Sequence, residues 1–339
     1  MKGVVSPGYV WATGIACATL ISLYVLPRLW RSLASERPGD PETKPISAGG
    51  PSMLYRRGFW RLGLFAARYL PAGICTGLMT SLTGLYSKLV PGRRRIVTDN
   101  ILPAVADDER RANAISGRLF RQFGVKLVDL WRFETGQSPD SLLTAESGWE
   151  HFMAARATGR GILIVTPHLG NWEFGGPLLI RRGVPLHVVT QVEPGQGFTE
   201  LRKDARAKWG IETHIIGDKP FAVIEVIKLL ERGAVVALLI DRPPASSAVP
   251  VELFGRPFHA SVAAAELARA SGCVVLPVAL PRMADGYAAH IFPEIPYERS
   301  ALSKREIRVQ FTQAIVRTFE PVIQKHLDQW YHFVPVWPR

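Results

Sequence analysis

Short apolar runs alternate with helical segments over the second half of the chain, and this alternation limits most strongly the folds available to it. The runs are rich in Val, Ile and Leu, as expected for strands that are buried on both faces. They read GILIVT, PLHVVT, ETHII, AVVALLI and CVVLPVAL, with helical stretches at 171–182, 198–209, 220–232 and 260–271. Strands that alternate with helices usually form one layer covered by helices. The sequence therefore predicts an α/β domain with a mostly parallel mixed sheet flanked by helices.

The stretch TPHLGNWEFGG, residues 166–176, follows the first of these runs directly. Open α/β sheets bind their ligands at the carboxyl ends of the strands, where this stretch begins. Histidine is the natural general base near neutral pH, and a nearby carboxylate can hold its ring and stabilise the imidazolium. His168 is therefore a candidate general base, and Glu173 is the candidate carboxylate that would orient it. The alternative is a strand-end histidine and a glutamate favoured by the dipole of the following helix.

Other groups at strand ends and helix starts are candidates for substrate contacts. The backbone N–H groups of Gly170 and Asn171, at a predicted helix start, are expected to stabilise a developing oxyanion. Asp241 ends the AVVALLI run and is predicted to lie at the site, with a structural role in the turn as the alternative. The chain contains no Gly-x-Ser-x-Gly motif, which argues against a serine hydrolase.

The cysteine and histidine spacing indicates neither a disulfide framework nor a metal site. Cys17, Cys75 and Cys273 are far apart in apolar surroundings, and no CxxC motif occurs. The seven histidines other than His168 show no ligand spacing, so we interpret them as structural. No metal site is predicted.

The amino-terminal segment is typical of a membrane anchor. Residues 9–26 form an uncharged stretch of 18 residues, about the minimum for a membrane span. A cleaved signal peptide is the alternative, but only Lys2 precedes the stretch and no small-x-small cleavage site ends it. Three arginines follow the stretch closely, which predicts that the bulk of the protein faces the cytoplasm from the inner (plasma) membrane. We expect an anchor over 1–34, a flexible Pro- and Gly-rich linker over 35–52, and the main domain over 53–339.

A second apolar segment, residues 59–91, is interrupted by Pro71 and carries Arg61, Arg68 and Lys88. This pattern favours helices that lie in the membrane interface or pack on the main domain as an apolar collar, and a second membrane span is the alternative. The whole chain has 41 Lys and Arg against 29 Asp and Glu, a formal charge of +12. Such an excess favours acidic partners, and we predict anionic membrane lipids. The charge is spread along the chain without a nucleic-acid motif, so no nucleic-acid partner is expected.

Four blocks in order resemble the late acyltransferases of lipid A, which belong to the lysophospholipid acyltransferase superfamily with its His-x4-Asp/Glu signature. The blocks are RRRIVTDNI (93–101), HLGNWEFGG (168–176), the stretch 238–278 with its Phe-Gly-x-Pro, and DQWYHFVPVWPR (328–339). The resemblance covers roughly residues 55–337. It implies a glycerol-phosphate acyltransferase-like fold.

The resemblance also implies an activity. Such an enzyme is an O-acyltransferase that moves a fatty acyl chain from acyl carrier protein or coenzyme A to a hydroxyl of a glycolipid or lipid A precursor. The thioester is already activated, so no Ser or Cys nucleophile is needed. The carrier thioester is a donor substrate, and no cofactor is implied. His168 and Glu173 match the signature, and a lipid-binding protein of the same fold that is anchored to the membrane and has lost activity is the alternative.

Further residues take expected roles from the same resemblance. Arg206 matches an Arg-x3-Gly position and is expected to bind a phosphate of the carrier or acceptor, with a solvated helix arginine as the alternative. Gly255 and Arg256 are expected to border the substrate. Asp241 with Arg242 stands where most lipid A enzymes carry Asp-Gln. The Asp-Arg pair is similar to that of relatives that acylate other glycolipids, such as the phosphatidylinositol mannoside acyltransferases of actinobacteria.

Overall fold

The computed structural model describes residues 56–138, 141–193, 197–216 and 220–338. The expected anchor over 1–34 and linker over 35–52 lie outside the described residues. Four helices come first: α1 Arg57–Tyr69, α2 Ala72–Leu89, α3 Pro91–Ile101 and α4 Glu109–Glu134.

Helices α1 and α2 occupy the apolar segment 59–91, called the collar below, and they are separated at Pro71, which has no N–H to continue a helix. Both pack on α4, where Trp60 of α1 meets Trp131 edge to face at a ring distance of 5.8 Å. Their other side exposes large apolar side chains, among them Phe65, Tyr69, Ile74, Leu85 and Leu89. No helix in the described part of the chain combines the length and apolarity needed to cross a membrane.

Seven strands of the described chain form one sheet in the order β1-β9-β8-β2-β5-β3-β4. Every adjacent pair is parallel except β8 with β9. This confirms the prediction of a mostly parallel mixed sheet. The strands are β1 Leu143–Ser147, β2 Ile162–Thr166, β3 Leu186–Gln191, β4 Glu212–Ile216, β5 Val235–Leu239, β8 Val274–Ala279 and β9 Tyr287–Ile291.

Helices cover both faces of this sheet. Along β2 the side chains alternate between two cores, with Leu163 and Val165 in one cluster and Ile162 and Ile164 in the other. Burial on both sides explains why the run GILIV contains only apolar side chains and glycine. The covering helices are α5 Trp149–Ala157, α6 Gly175–Arg181, α7 Phe198–Ala207, α8 Pro220–Glu231, α9 Ala263–Ser271 and α10 Arg305–Lys325.

A small antiparallel hairpin stands apart from the sheet, with strands β6 Ala248–Leu253 and β7 Arg256–Ser261. Its turn is the Phe-Gly-x-Pro block, where Phe254 (φ 52°) and Gly255 (φ 70°) both adopt positive φ. A two-residue hairpin turn of type I′ requires positive φ at both of its central residues.

The chain after α10 returns across the carboxyl edge of the sheet. Leu169 and Trp330 form an antiparallel bridge, and the Tyr331 N–H donates to the carbonyl of His168 at 2.9 Å. The side-chain amide of Asn100, in α3, donates to the carbonyls of His332 and Val334 at 3.1 and 2.8 Å. Residues far apart in sequence are thereby fixed against the loop that follows β2.

Candidate active site

His168 and Asp241 meet because their strands are parallel neighbours. Thr166 at the end of β2 is paired with Leu239 at the end of β5, and each candidate lies two residues beyond its strand. The His168 Nδ1 is 2.6 Å from Asp241 Oδ1, and the His168 backbone N–H donates to Oδ2 at 2.9 Å. A carboxylate thus holds both the ring and the backbone of the histidine.

Asp241 is buried and accepts two further hydrogen bonds from the carboxyl-terminal segment. Trp330 Nε1 donates to Oδ2 at 3.1 Å, and His332 Nε2 lies 2.8 Å from the same oxygen. Burial on its own would raise the pKa of this carboxyl, but His168 and His332 outweigh it and hold the pKa well below its usual range. Asp241 is therefore ionised, and each of its oxygens has donors, as a buried charge requires.

The His168 ring keeps one nitrogen available. Because Nδ1 faces a carboxylate, Nδ1–H donates and the lone pair resides on Nε2, which has no hydrogen-bond partner among the described residues. Burial lowers the pKa of His168 to about 4, although the Asp241 carboxylate acts in the opposite direction. The imidazole is therefore neutral at physiological pH. In that form Nε2 can accept a proton, and Asp241 can stabilise the imidazolium that results.

Glu173 does not take the position that the sequence predicted for it. Its carboxylate accepts two hydrogen bonds from Arg206, one from Nε at 3.0 Å and one from Nη2 at 2.6 Å. Arg202 Nη2 lies 3.2 Å from the same carboxylate and also pairs with Glu134. Burial alone would raise the pKa of Glu173, but the two arginines outweigh it and keep the pKa far below its usual range. Within the described chain no hydrogen bond or ion pair joins Glu173 to His168.

The local backbone explains this correction. Trp172, Glu173 and Phe174 form a single 3-10 turn, in which successive side chains point about 120° apart. Trp172 faces the His168 ring at 4.9 Å, so Glu173 turns away toward α7, which carries both arginines. The Nζ of Lys126, a buried residue of α4, stands 2.9 Å from the centre of the Trp172 ring on this charged side.

The backbone donors expected to form an oxyanion hole are already in use. The N–H of Gly170 donates to the carbonyl of Gln329, and the N–H of Asn171 donates to that of Leu280, each at 3.0 Å. This arrangement contradicts the prediction that these two groups are free for an oxyanion. Gly170 has φ +60°, and a Cβ there would lie 1.9 Å from the Leu280 oxygen, so only glycine fits.

The other predicted site residues differ in their burial and in their distance from His168. Arg206 is nearly buried and paired with Glu173, so it is not a solvated helix arginine. Arg242 is exposed and close enough that its charge contributes to the lowered pKa of His168. Gly255 and Arg256 are exposed at the β6–β7 turn, where Arg256 pairs with Asp107 at 2.6 Å. No contact in the described structure joins these two residues to His168.

Trp330 and His332 are the site residues that the sequence analysis missed, since it interpreted His332 as structural and assigned Trp330 no role. They follow the last helix, 89 and 91 positions from Asp241. The usable signal was the carboxyl-terminal block that carries them, since it belongs to the resemblance.

An apolar cavity that is partly open to solvent is lined in part by Trp172, whose ring also faces His168. Glu173 and Arg206 supply polar groups in its wall. The rest of the lining is mainly aliphatic and comes from β2, β3, β8 and α6, including Ile164, Leu179, Leu186, Val188, Val278 and Leu280. A cavity of this character fits a hydrocarbon chain better than a polar ligand.

The His168, Asp241 and His332 side chains also have the composition of a metal site, with their ligand atoms within 4.8 Å of one another. However, the histidine nitrogens lie 2.6 and 2.8 Å from the carboxylate oxygens. Ligand atoms of a tetrahedral zinc ion are about 3.3 Å apart, given bonds of about 2.0–2.1 Å. The observed spacing is that of charge-assisted hydrogen bonds.

Comparison with known proteins agrees with the resemblance seen in the sequence. The family described as bacterial lipid A biosynthesis acyltransferase matches residues 54–339. A phosphatidylinositol mannoside acyltransferase of Mycobacterium tuberculosis is 27% identical over 193 residues, which cover 56% of this chain and 58% of the relative. One from Mycolicibacterium smegmatis is 25% identical over 190 residues, covering 56% and 60%. The aligned part thus spans less than two thirds of these relatives.

Proposed function

Since the chain belongs to the bacterial lipid A biosynthesis acyltransferase family, we propose that it transfers a fatty acyl chain from a thioester carrier to a hydroxyl of a glycolipid. One observation carries this proposal. A neutral histidine, held by a buried carboxylate at 2.6 Å, has a free Nε2 and faces Trp172, which lines an apolar cavity. The names of the relatives, phosphatidylinositol mannoside acyltransferases, favour a glycolipid as the acceptor.

His168 acts as the general base in this reaction. Its Nε2 takes the proton of the acceptor hydroxyl, whose oxygen attacks the thioester carbonyl and forms a C–O bond. Collapse of the tetrahedral intermediate breaks the C–S bond, and the departing thiolate takes the proton back from His168. Positioned base catalysis of this kind contributes about 10²–10⁴ in rate.

Asp241, rather than Glu173, orients the base. It accepts the Nδ1–H bond, which fixes the tautomer with a free Nε2, and it stabilises the imidazolium during the attack. The hydrogen bonds from Trp330 and His332 keep the carboxylate in place. Asp241 remains ionised throughout, because its pKa is held low.

Two features of the protein around His168 suit the two parts of the substrates, the acyl chain and a phosphate group. The apolar cavity that Trp172 helps to line accommodates the acyl chain, because most of its lining side chains are aliphatic. Arg242 is exposed next to His168 and has no hydrogen bond or ion pair in the described structure. It is therefore suited to a phosphate of the carrier or of the acceptor. Gly255 and Arg256 are assigned to the outer border of the acceptor.

The donor is acyl carrier protein or acyl-coenzyme A, and the enzyme acts at the cytoplasmic face of the inner membrane. The exposed apolar side of α1 and α2 supports membrane attachment, because Arg61 and Arg68 of α1 and Lys88 of α2 suit anionic headgroups.

Vesicle binding tests this attachment. A chain that begins at Ser52 should bind anionic vesicles, and high salt should weaken the binding. Phe65→Ser combined with Leu89→Ser should reduce binding, whereas Met153→Ser, which changes an equally exposed apolar side chain of α5, should not. If the shortened chain ignores vesicles, the membrane role of the collar is wrong.

Acyl transfer is tested with membranes from cells that express the full chain. A radiolabelled acyl carrier should label a lipid band with the unaltered protein and not with His168→Ala. If both give no label while binding lipid equally, the inactive lipid-binding alternative is correct.

A further inference from the structure

Three polar side chains converge on the outer two strands of the sheet, away from His168. His187 lies near the amino end of β3 and is paired in parallel register with Glu212, the first residue of the edge strand β4. His214 follows Glu212 by two residues, so both side chains project from the same face of β4. His168 and Asp241 lie at the opposite end of the sheet, beyond the carboxyl ends of β2 and β5.

The atoms that face one another are a set of metal ligands. His187 Nδ1 is 3.1 Å from His214 Nε2 and 3.3 Å from Glu212 Oε2. His214 Nε2 is 3.9 Å from Glu212 Oε1. In a tetrahedral site with bonds of about 2.0–2.1 Å, neighbouring ligand atoms are about 3.3 Å apart. The three spacings bracket this value, in contrast to the shorter contacts around Asp241.

The surroundings favour one tautomer of His214. Its other ring nitrogen, Nδ1, is 3.7 Å from Glu225 Oε2 on α8. A carboxylate on that side favours a proton on Nδ1 and leaves the Nε2 lone pair pointing at His187 and Glu212. Metal-binding histidines commonly have such an outer carboxylate.

We propose that His187, Glu212 and His214 form a binding site for a divalent transition metal ion, of which Zn²⁺ is the best match. Two imidazoles and one carboxylate suit zinc rather than Mg²⁺ or Ca²⁺, which prefer oxygen ligands. His214 is 5% and His187 15% exposed, so two ligands are held by the sheet, while Glu212 at 63% leaves the site open to entry from solvent. The ion ties β3 to the edge strand β4, a role independent of acyl transfer.

The test is a titration of the purified full chain, stripped of metal by a chelator, with Zn²⁺ followed by calorimetry and with Co²⁺ followed by absorption. We expect one ion per chain at this site with a tetrahedral Co²⁺ spectrum. His187→Gln should abolish it, and Glu212→Gln should weaken binding more than about a hundredfold, since loss of an outer partner alone costs about 10–100-fold. Zn²⁺ should raise the Tm of the unaltered chain and not that of Glu212→Gln.

Two controls separate this site from other histidines. His259→Gln changes an exposed histidine of β7, and His168→Gln removes the base; both should bind the ion as the unaltered chain does. Glu212 is exposed, so its substitution leaves folding intact. Absence of micromolar binding would show that the two imidazoles only share a hydrogen bond. Binding that survives His187→Gln, or that disappears in His168→Gln, would also overturn the proposal.

Discussion

Two carboxylates with little exposure to solvent lie at the loop after β2, and their partners differ. Asp241 is surrounded by histidines and a tryptophan, with His168 Nδ1 at 2.6 Å and His332 Nε2 at 2.8 Å. Glu173 is surrounded by arginines, with Arg206 at 2.6 Å and Arg202 at 3.2 Å. Arginine does not release its proton in proteins, whereas histidine does near neutral pH. The Asp241 cluster can therefore take part in proton transfer, and the Glu173 cluster is a fixed ionic support.

Of the changes that test this comparison, removal of the base itself should lower the maximal rate most. His168→Ala eliminates Nε2, so we expect the maximal rate to fall by about 10²–10⁴ with little change in folding. Acyl transfer and Tm should be measured on the same preparation, with His259→Ala as the control at an exposed histidine. A near-normal rate in His168→Ala would remove His168 from the mechanism.

Asp241→Asn should lower the maximal rate by about a hundredfold or more, because an amide can no longer fix the tautomer or stabilise the imidazolium. The Michaelis constant should change little, since Asp241 is not expected to touch the substrate. An increase in the Michaelis constant with an unchanged maximal rate would assign Asp241 to binding instead.

Glu173→Gln should lower the stability of the fold more than it lowers the maximal rate. The rate should fall by less than about tenfold, because Glu173 makes no contact with the base. Stability should fall by about 3 kcal/mol, since Arg206 would be left nearly buried without its carboxylate, whereas Arg202 still pairs with Glu134. Chemical denaturation measures this loss, and Arg206→Gln in the same background should add less than it does alone. A hundredfold loss of rate at unchanged stability would restore Glu173 to the catalytic role that its spacing suggested.

The smallest expected effect is a change in the pH dependence of the maximal rate. Burial lowers the pKa of His168 to about 4, so the base stays neutral as the pH falls from 7 to 5 and is protonated only near 4. The maximal rate should therefore hold steady down to about pH 5 and then decline. Arg242→Gln removes a charge that disfavours the imidazolium and should move this decline to higher pH. A decline centred at the ordinary histidine value of about 6.5 would contradict the burial of the ring.

The sequence predicted the sheet well because its central strands are buried on both faces and read as apolar runs. It missed β1, Leu143–Ser147, whose side chains are largely exposed, and β9, Tyr287–Ile291, whose sequence YAAHI contains only one Val, Ile or Leu. The position of His168 was predictable from its place after a strand. Its partner was not, because the adjacency of β2 and β5 is a property of the sheet order rather than of local spacing. Glu173 was the nearer carboxylate in sequence, but one 3-10 turn directs it elsewhere.

The account depends on which carboxylate holds the His168 ring, and ¹⁵N NMR of that imidazole tests this without any substrate. At neutral pH we predict a neutral ring protonated at Nδ1 in the unaltered chain and in Glu173→Gln. In Asp241→Asn this fixed tautomer should be lost. A ring that keeps the Nδ1–H tautomer in Asp241→Asn but loses it in Glu173→Gln would contradict the account and assign the orienting role to Glu173.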